Sequence, residues 1–500
     1  MNAHDVGVIV AKNQSLLDEN QRLKERIAWF EKHVFGQKAD RLPIRPLPES
    51  ISLFADTTEF DPIATTPPAK TIAAHSRAAA GHGRKPLPKH LERVEEVIVP
   101  VEAELSCTVC GCEKIKIGED VIEILERRPD PFFVRRVIRP KFACKNHPEM
   151  GVTQAKPASR LVEKGNVGDS VVQHVILDKY LYHQPLTRQE RKFKGLGIQI
   201  KPSTMHGWID EFCLRAEAVV KYVKNRILDG CIAFSDDTSI PVLMKNKPGS
   251  AHRGAMWLYS NGRDAVVFEY SHGKSQNVPV DWLQGFEGYL HSDGYASYLA
   301  VHATGKVKPV YCFAHARRKF LDAFKAGDKM AARSLSLFRR LFLVDRYAKV
   351  NKIGIMEFKT IRNRVTSKIL DTMFSHWIKT GLEVLPQNLL GKAIAYVLKR
   401  KEGFRAVLKS PRLQLDNNLS ERELRRVVVG RKNYMFCGSE EGAKRAAIIY
   451  SLIGTCELIS LDPLVYFRWI MESFTRTPNI DSAALMPHRL QLALQRQQAF

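Results

Sequence analysis

A multidomain α/β protein is what this sequence predicts, and three observations predict it. The chain has 500 residues, more than one ordinary domain holds, so roughly two to four domains are expected. Hydrophobic residues make up 44% of it, enough for packed cores. From about residue 230 onward, short apolar strands that run into acidic residues alternate with segments of helical period, as in an α/β core.

The formal net charge of +24 implies a polyanionic partner, most simply nucleic acid. A membrane surface is the competing polyanion, but the longest apolar run, around 446–456, is too short to span a bilayer. The start, Met1-Asn-Ala-His-Asp5, shows no basic segment leading into an apolar stretch, so no secretory signal is expected. Nine unevenly spread cysteines suggest reduced thiols rather than a disulfide framework. A cytoplasmic protein is expected.

Residues 1–40 carry heptads. Ile9, Leu16, Leu23 and Phe30 recur every seventh position, and Val6, Asn13, Asn20, Ile27 and Val34 fill the other core position. A coiled-coil helix is predicted, its core Asn residues fixing register, with a plain amphipathic helix as the alternative. Residues 41–92, rich in Pro, Ala and Thr and without a period, predict a disordered linker.

Residues 93–155 predict a zinc ribbon. Cys107 and Cys110 form one C-x2-C pair, Cys144 and His147 the second, and strand-like sequence at 121–125 and 132–138 lies between them. Cys112 could replace Cys110. Arg127, Arg128, Arg135, Arg136 and Arg139 make the module basic. From 160 to 226 a helical period, a Gly195-Leu-Gly197 turn and a Ser/Thr-capped helix with Trp208 inward outline a helix-turn-helix-like region. An ordinary αα-hairpin fits as well.

The carboxylates follow. An apolar strand from Gly230 ends in Asp236-Asp237; strands at 255–259 and 264–269 are joined by an Asn261-Gly262 turn. Another strand from Gly288 stops on Asp293, and one at 307–313 leads into a helix at Ala314. Such an order predicts a core of the ribonuclease H type over 227–320 and 410–455, interrupted by a helical insertion at 321–409. A lone Asp at a strand end is usually a turn former. Acids at neighbouring strand ends plus one on a helix, in so basic a chain, can instead hold two Mg²⁺ ions for phosphoryl transfer. The helix acid lies in Asp416-Asn-Asn-Leu-Ser-Glu421, where Asn418 reads as N-cap and Glu421 as its capping-box partner. Residues 456–500 predict a short helix and a flexible tail.

These motifs resemble the DDE transposases of the insertion sequence sixty-six family over nearly the whole chain. Asp416-Asn-Asn-Leu-Ser-Glu421-Arg through Gly430-Arg-Lys-Asn to Gly442 is the most specific stretch. Ser292-Asp293-Gly-Tyr-Ala-Ser-Tyr, Ala314-His-Ala-Arg-Arg-Lys-Phe and Gln184-Pro-Leu-Thr-Arg-Gln join it. The resemblance implies a catalytic triad of Asp236, Asp293 and Glu421 holding two Mg²⁺ (or Mn²⁺) ions, and one structural Zn²⁺ on Cys107, Cys110, Cys144 and His147. It implies phosphate contacts by His315, Arg317, Arg318, Arg422, Arg425, Arg431 and Lys432. The partners it implies are double-stranded DNA, as element ends and target, and a second copy of the chain in a homodimer or larger assembly. It leaves open whether other element-encoded proteins take part, and its setting is a bacterial cytoplasm, at the nucleoid.

Two positions depart from the family pattern. Asp237 stands where Glu is usual, so a one-residue shift would make Asp237 the first ligand. His147 stands where the ribbon usually ends in Cys, and remains a competent zinc donor. Two rival functions are a non-catalytic DNA-binding regulator and a metal-dependent nuclease that hydrolyses without joining.

Overall fold

The computed structural model describes residues 87–498, apart from 90, 107–109, 128–131, 164, 245–246, 248 and 478, together with Gln21. The coiled-coil reading of 1–40 and nearly all of the linker reading of 41–92 lie outside the described residues. From Leu87 onward the chain is one compact unit containing two sheets.

In the first sheet β2 (Ile115–Arg127) and β3 (Phe132–Ala143) form an antiparallel hairpin, longer than the sequence pattern suggested. β1 (Arg93–Val97) runs parallel to β3 on one side, and β4 (Val152–Gln154) pairs antiparallel with the end of β3. Leu125, Phe132 and Val134 are buried against the helices that follow, α1 (Asp169–Tyr180), α2 (Leu186–Gly195) and α3 (Pro202–Leu228).

Those helices share a single core with the second sheet. α1 is buried on nearly every face, and Trp208 of α3 is buried as expected. The Gly195–Gly197 turn is present, with Gly197 at φ 77°. α3 starts without a Ser/Thr cap: Lys201 flanks it and Pro202 opens it, a position where proline's missing N–H costs nothing.

The second sheet has the order β7-β6-β5-β8-β9. Its strands are β5 (Ile232–Leu243), β6 (Ala251–Ser260), β7 (Val266–Ser271), β8 (Gly288–Ser292) and β9 (Val307–Tyr311). The first three are antiparallel neighbours, while β8 and β9 run parallel to β5. The β6–β7 turn is held by Asn261, whose Oδ1 accepts from the N–H groups of Arg263, Asp264 and Ala265.

Two further helices place the C-terminal motif. α4 (Phe313–Lys325) leaves β9, and α8 (Asn418–Tyr434) lies against β5 and β6. Next, α9 (Glu440–Leu458) covers the edge strand β7. Thr455 Oγ1 takes the Val266 N–H and donates to its carbonyl, and Ser451 Oγ takes the Phe268 N–H. The open edge is thereby satisfied, and the apolar 446–456 run is explained as core. No described helix is long and apolar enough to cross a membrane.

The insertion has a hydrophobic core of its own, built by α4, α5 (Ala331–Val350), α6 (Ser367–Glu383) and α7 (Leu389–Leu398). Phe320, Phe338 and Trp377 pack ring on ring at its centre, and Trp377 Nε1 donates to Ser334 Oγ at 3.1 Å. Arg362, buried there, donates to the carbonyls of Val407 and Ser410 at 3.1 Å and pairs with Asp345 at 2.7 Å. Those bonds fix the segment that returns to the second sheet.

The C-terminal reading needs correction. After α10 (Pro463–Arg476) the chain is not a flexible tail but a turn and a helix, α11 (Pro487–Gln498). Leu485, Met486 and Leu490 are buried, and Tyr466 donates to the Leu485 carbonyl at 2.8 Å. The apolar residues here are too sparse to give a sequence period, yet each finds the main core.

Candidate active site

β5 does not stop on its acids. It pairs with β6 from Phe234 to Leu243, while β8 accompanies it only from Ile232 to Phe234. Asp236 and Asp237 therefore sit where β8 parts from β5. Phe234 is registered with His291, and Asp236 and Asp293 each lie two residues further on. Parallel pairing thus sets these two acids side by side.

Asp293 opens a tight turn. Its Oδ1 accepts from Tyr295 N at 2.8 Å, and Gly294 follows at φ 81°. A Cβ on Gly294 would come within 3.0 Å of Arg400 Nε and 3.1 Å of Tyr396 Oη, a tight fit, and the positive φ itself favours glycine here.

The third acid enters on α8, and here the capping box is corrected. Asn418 is the first helical residue, and Asp416 Oδ1 takes its N–H at 3.1 Å. The flanking Asn417 is fully buried. Its Nδ2 donates to the Ser235 carbonyl at 3.1 Å, and its Oδ1 accepts from Ser420 Oγ at 2.8 Å. Asn417 thus bolts the start of α8 to β5, one residue before Asp236. Glu421 is left free of capping. Its Oε1 is buried without a hydrogen bond and lies 3.5 Å from His315 Nε2 on α4.

Electrostatics separate the two neighbouring aspartates. Burial, the nearby Asp293 carboxylate, and more weakly Asp237 and Glu421 push the Asp236 carboxyl up to about 7, against a hydrogen bond from Asp237 N. Among the described residues no Lys or Arg forms an ion pair with Asp236 or Asp293. Asp237 is different: it is ion-paired to Lys274. Burial raises its carboxyl and Lys274 opposes the rise. Asp293 and Glu421 lie near enough for their charges to act on Asp236, and carboxylate oxygens are the hard donors that Mg²⁺ or Mn²⁺ takes.

The basic residues divide. Arg317 and Arg318 are exposed on α4, as are Arg422, Arg425 and Lys432 on α8. Arg431 instead turns back to β5, donating to Thr238 Oγ1 at 2.9 Å and to the Ser239 carbonyl. It ties α8 to the strand that carries Asp236. His315 faces Glu421.

Sequence reasoning missed Asn417, Lys274, Tyr396 and Arg400. Tyr396 Oη donates to the Asp293 carbonyl at 2.7 Å, and Arg400 donates to the Gly294 carbonyl at 3.2 Å. Both come from the insertion, which therefore grips the Asp293 turn. No local motif marks them; only Asn417 lay inside a quoted motif. Tyr396→Phe is expected to lower joining activity or Mg²⁺ affinity about 10- to 100-fold, as loss of an outer hydrogen bond to a ligand does. A Mg²⁺ titration of joining, with DNA binding measured alongside, checks this; unchanged Mg²⁺ dependence would remove Tyr396 from the site.

In the ribbon, Cys110 Sγ lies 3.7 Å from Cys144 Sγ, which lies 3.7 Å from His147 Nδ1. Ligand atoms of all three fall within 4.8 Å of one another. Cys112 is not in this group; its Sγ lies 4.0 Å from Asn146 Nδ2. Cys107 lies outside the described residues. Thiolate and imidazole donors from two turns suit Zn²⁺.

A basic chain with a sulfur–nitrogen cluster at one end and converging carboxylates on a mixed sheet has the build of a transposase. The family comparisons give that class. Residues 164–445 match the family described as Transposase IS66 family, residues 104–146 the zinc-finger binding domain of transposase IS66, and residues 22–95 Transposase C of IS166 homeodomain. The chain belongs to the IS66 transposase family. Among curated relatives, the uncharacterized protein y4qI of Sinorhizobium fredii is 29% identical over 97% of this chain and 92% of its own length. The uncharacterized protein y4hP of the same organism is 30% identical over 87% of this chain and 82% of its own.

Proposed function

We propose that the chain binds the ends of an insertion sequence, cleaves DNA there and joins the freed 3′ end to target DNA, using Asp236, Asp293 and Glu421. The observation that carries this is that Asp293 in the β8 turn and Glu421 on α8 lie near enough to Asp236 of β5 for their charges to raise its carboxyl, while among the described residues no Lys or Arg is ion-paired to any of the three. The strand order, three antiparallel strands followed by two parallel ones, supports a ribonuclease H-like core.

In this reading the three acids would hold two Mg²⁺ or Mn²⁺ ions, which would supply charge stabilisation for phosphoryl transfer. The chain's residues position that site. Asn417 seats the start of α8 on β5, and Tyr396 and Arg400 hold the Asp293 turn. Lys274 keeps Asp237 paired, leaving Asp236 as the strand acid facing the other two. Exposed Arg317, Arg318, Arg422, Arg425 and Lys432 would bind phosphates and carry no sequence information. Cys107, Cys110, Cys144 and His147 would hold one Zn²⁺ that fixes the ribbon for DNA binding, and a homodimer would pair two element ends.

A regulator without catalysis has no use for a desolvated Asp236 set among other carboxylates, whose ionisation costs stability. The test is an assay in which labelled element ends are incubated with plasmid DNA and Mg²⁺. Joined products are expected. Cleaved but never joined ends would reduce the function to a nuclease, and neither product would overturn it.

A further inference from the structure

A second group of metal-type ligands lies outside both sites. His252 is on β6, His272 directly follows β7, and Glu440 opens α9. Distant in sequence, the three converge because α9 packs along β7 and β7 pairs with β6. His272 Nδ1 lies 2.7 Å from Glu440 Oε1, and His252 Nε2 lies 3.7 Å from the same oxygen. One ligand atom from each of the three lies within 4.8 Å of the others. The two imidazoles stack in this state, with centroids 4.2 Å apart and planes 20° apart, so one ring turns about its Cβ–Cγ bond for both to face one ion.

The back of the group is built. His252 is largely buried, and its Nε2 lies 3.0 Å from the Tyr270 hydroxyl, a hydrogen bond that a metal on Nε2 would replace. The Tyr270 ring packs over Gly254, where a Cβ would come within 2.7 Å of it, so only glycine admits the ring. His272 is open to solvent, which gives a cation a way in.

We propose that His252, His272 and Glu440 form a Zn²⁺ site that clamps the end of β7 to the start of α9. Two imidazoles and one carboxylate are a known three-ligand zinc set that leaves a fourth position for water. Tetrahedral bonds of about 2.0–2.1 Å place ligand atoms roughly 3.3–3.4 Å apart, and the observed 2.7 and 3.7 Å bracket that spacing. Nitrogen donors select late first-row metals over Mg²⁺, which takes oxygen. The chain thus sorts cations by donor: sulfur and nitrogen in the ribbon, two nitrogens and an oxygen here, oxygen alone at the acids.

The clamp reaches the candidate active site through a short path. Ser271 Oγ accepts from Trp257 Nε1 at 2.8 Å and donates to the Gly273 carbonyl at 2.6 Å. The next residue, Lys274, is ion-paired to Asp237. Fixing His272 therefore fixes the segment that presents Lys274.

The test uses the full chain, loaded with Zn²⁺ in excess Mg²⁺ so that the carboxylates are occupied, then dialysed. Wild type is expected to retain about two equivalents of zinc, and His272→Ala and Glu440→Gln about one each. With Co²⁺ the strong thiolate charge-transfer band should persist in His272→Ala while part of the weaker visible absorption disappears. Wild type retaining no more zinc than His272→Ala, or an unchanged Co²⁺ spectrum, would overturn the site. Neither readout depends on DNA joining, so the result stands apart from the catalytic reading.

Discussion

Glu421→Gln is expected to abolish cleavage and joining while leaving the fold and DNA binding close to wild type. A capping-box residue needs only an acceptor, and Gln supplies one nearly as well as Glu. A Mg²⁺ ligand needs a charged hard oxygen, which an amide lacks. The structure sharpens the contrast. Glu421 takes no part in capping α8, since Asp416 holds the Asn418 N–H and Asn417 ties the helix start to β5. Its Oε1 is buried with no hydrogen bond to lose. The loss of joining should be at least about 10²–10³-fold, the scale of removing one preorganised electrostatic group. The melting temperature should move little, in keeping with about 0.5 kcal/mol for a change that breaks no packing. Asp293→Asn should behave alike, and Asp237→Asn should be milder in catalysis. Near-normal joining by Glu421→Gln in Mg²⁺ would require the triad to be redrawn.

Asp236→Asn is expected to make the metal-free protein more stable above neutral pH. The folded carboxyl is raised from 3.8 to about 7, chiefly by burial and then by Asp293. Between those values the native state holds a proton that the unfolded chain has released. Stability from this group is thus present below about pH 4 and is lost as pH rises through about 7. At pH 8 the ionised Asp236 should cost about 2–4 kcal/mol, which Asn removes; in a unit of this size that is a rise of a few degrees. Wild type should regain stability on adding Mg²⁺, since a ligand of the native state shifts unfolding, and the variant should respond far less. Thermal melts at pH 5 and 8, with and without Mg²⁺, decide it. A variant less stable than wild type at pH 8 without metal would show that Asp236 is held by partners rather than strained by neighbours.

What the sequence determined by itself was the chemistry and its order along the chain. Charge pointed to a polyanion, and paired spacing made Cys107, Cys110, Cys144 and His147 a sulfur–nitrogen set, with Cys112 an alternative to Cys110. Strand pattern marked the Asp236-Asp237 pair and Asp293, and the family resemblance implied Asp236, Asp293 and Glu421 as the triad. Those signals are local, carried by periods of two or 3.6 residues and by short spacings.

Only the tertiary structure decided which side chains meet. Asp236 and Asp237 are adjacent in sequence, and only the register of β5 with β8 and the Lys274 ion pair set them apart. Glu421 read as a cap because a local motif fits one. The burial of Asn417 against Ser235 shifted the helix start and freed the carboxylate. Tyr396 and Arg400 reach the Asp293 turn from about a hundred residues away, and His252, His272 and Glu440 meet across three elements. Such contacts leave no periodic trace, because they are fixed by how strands pair and helices pack rather than by the preferences of neighbouring residues.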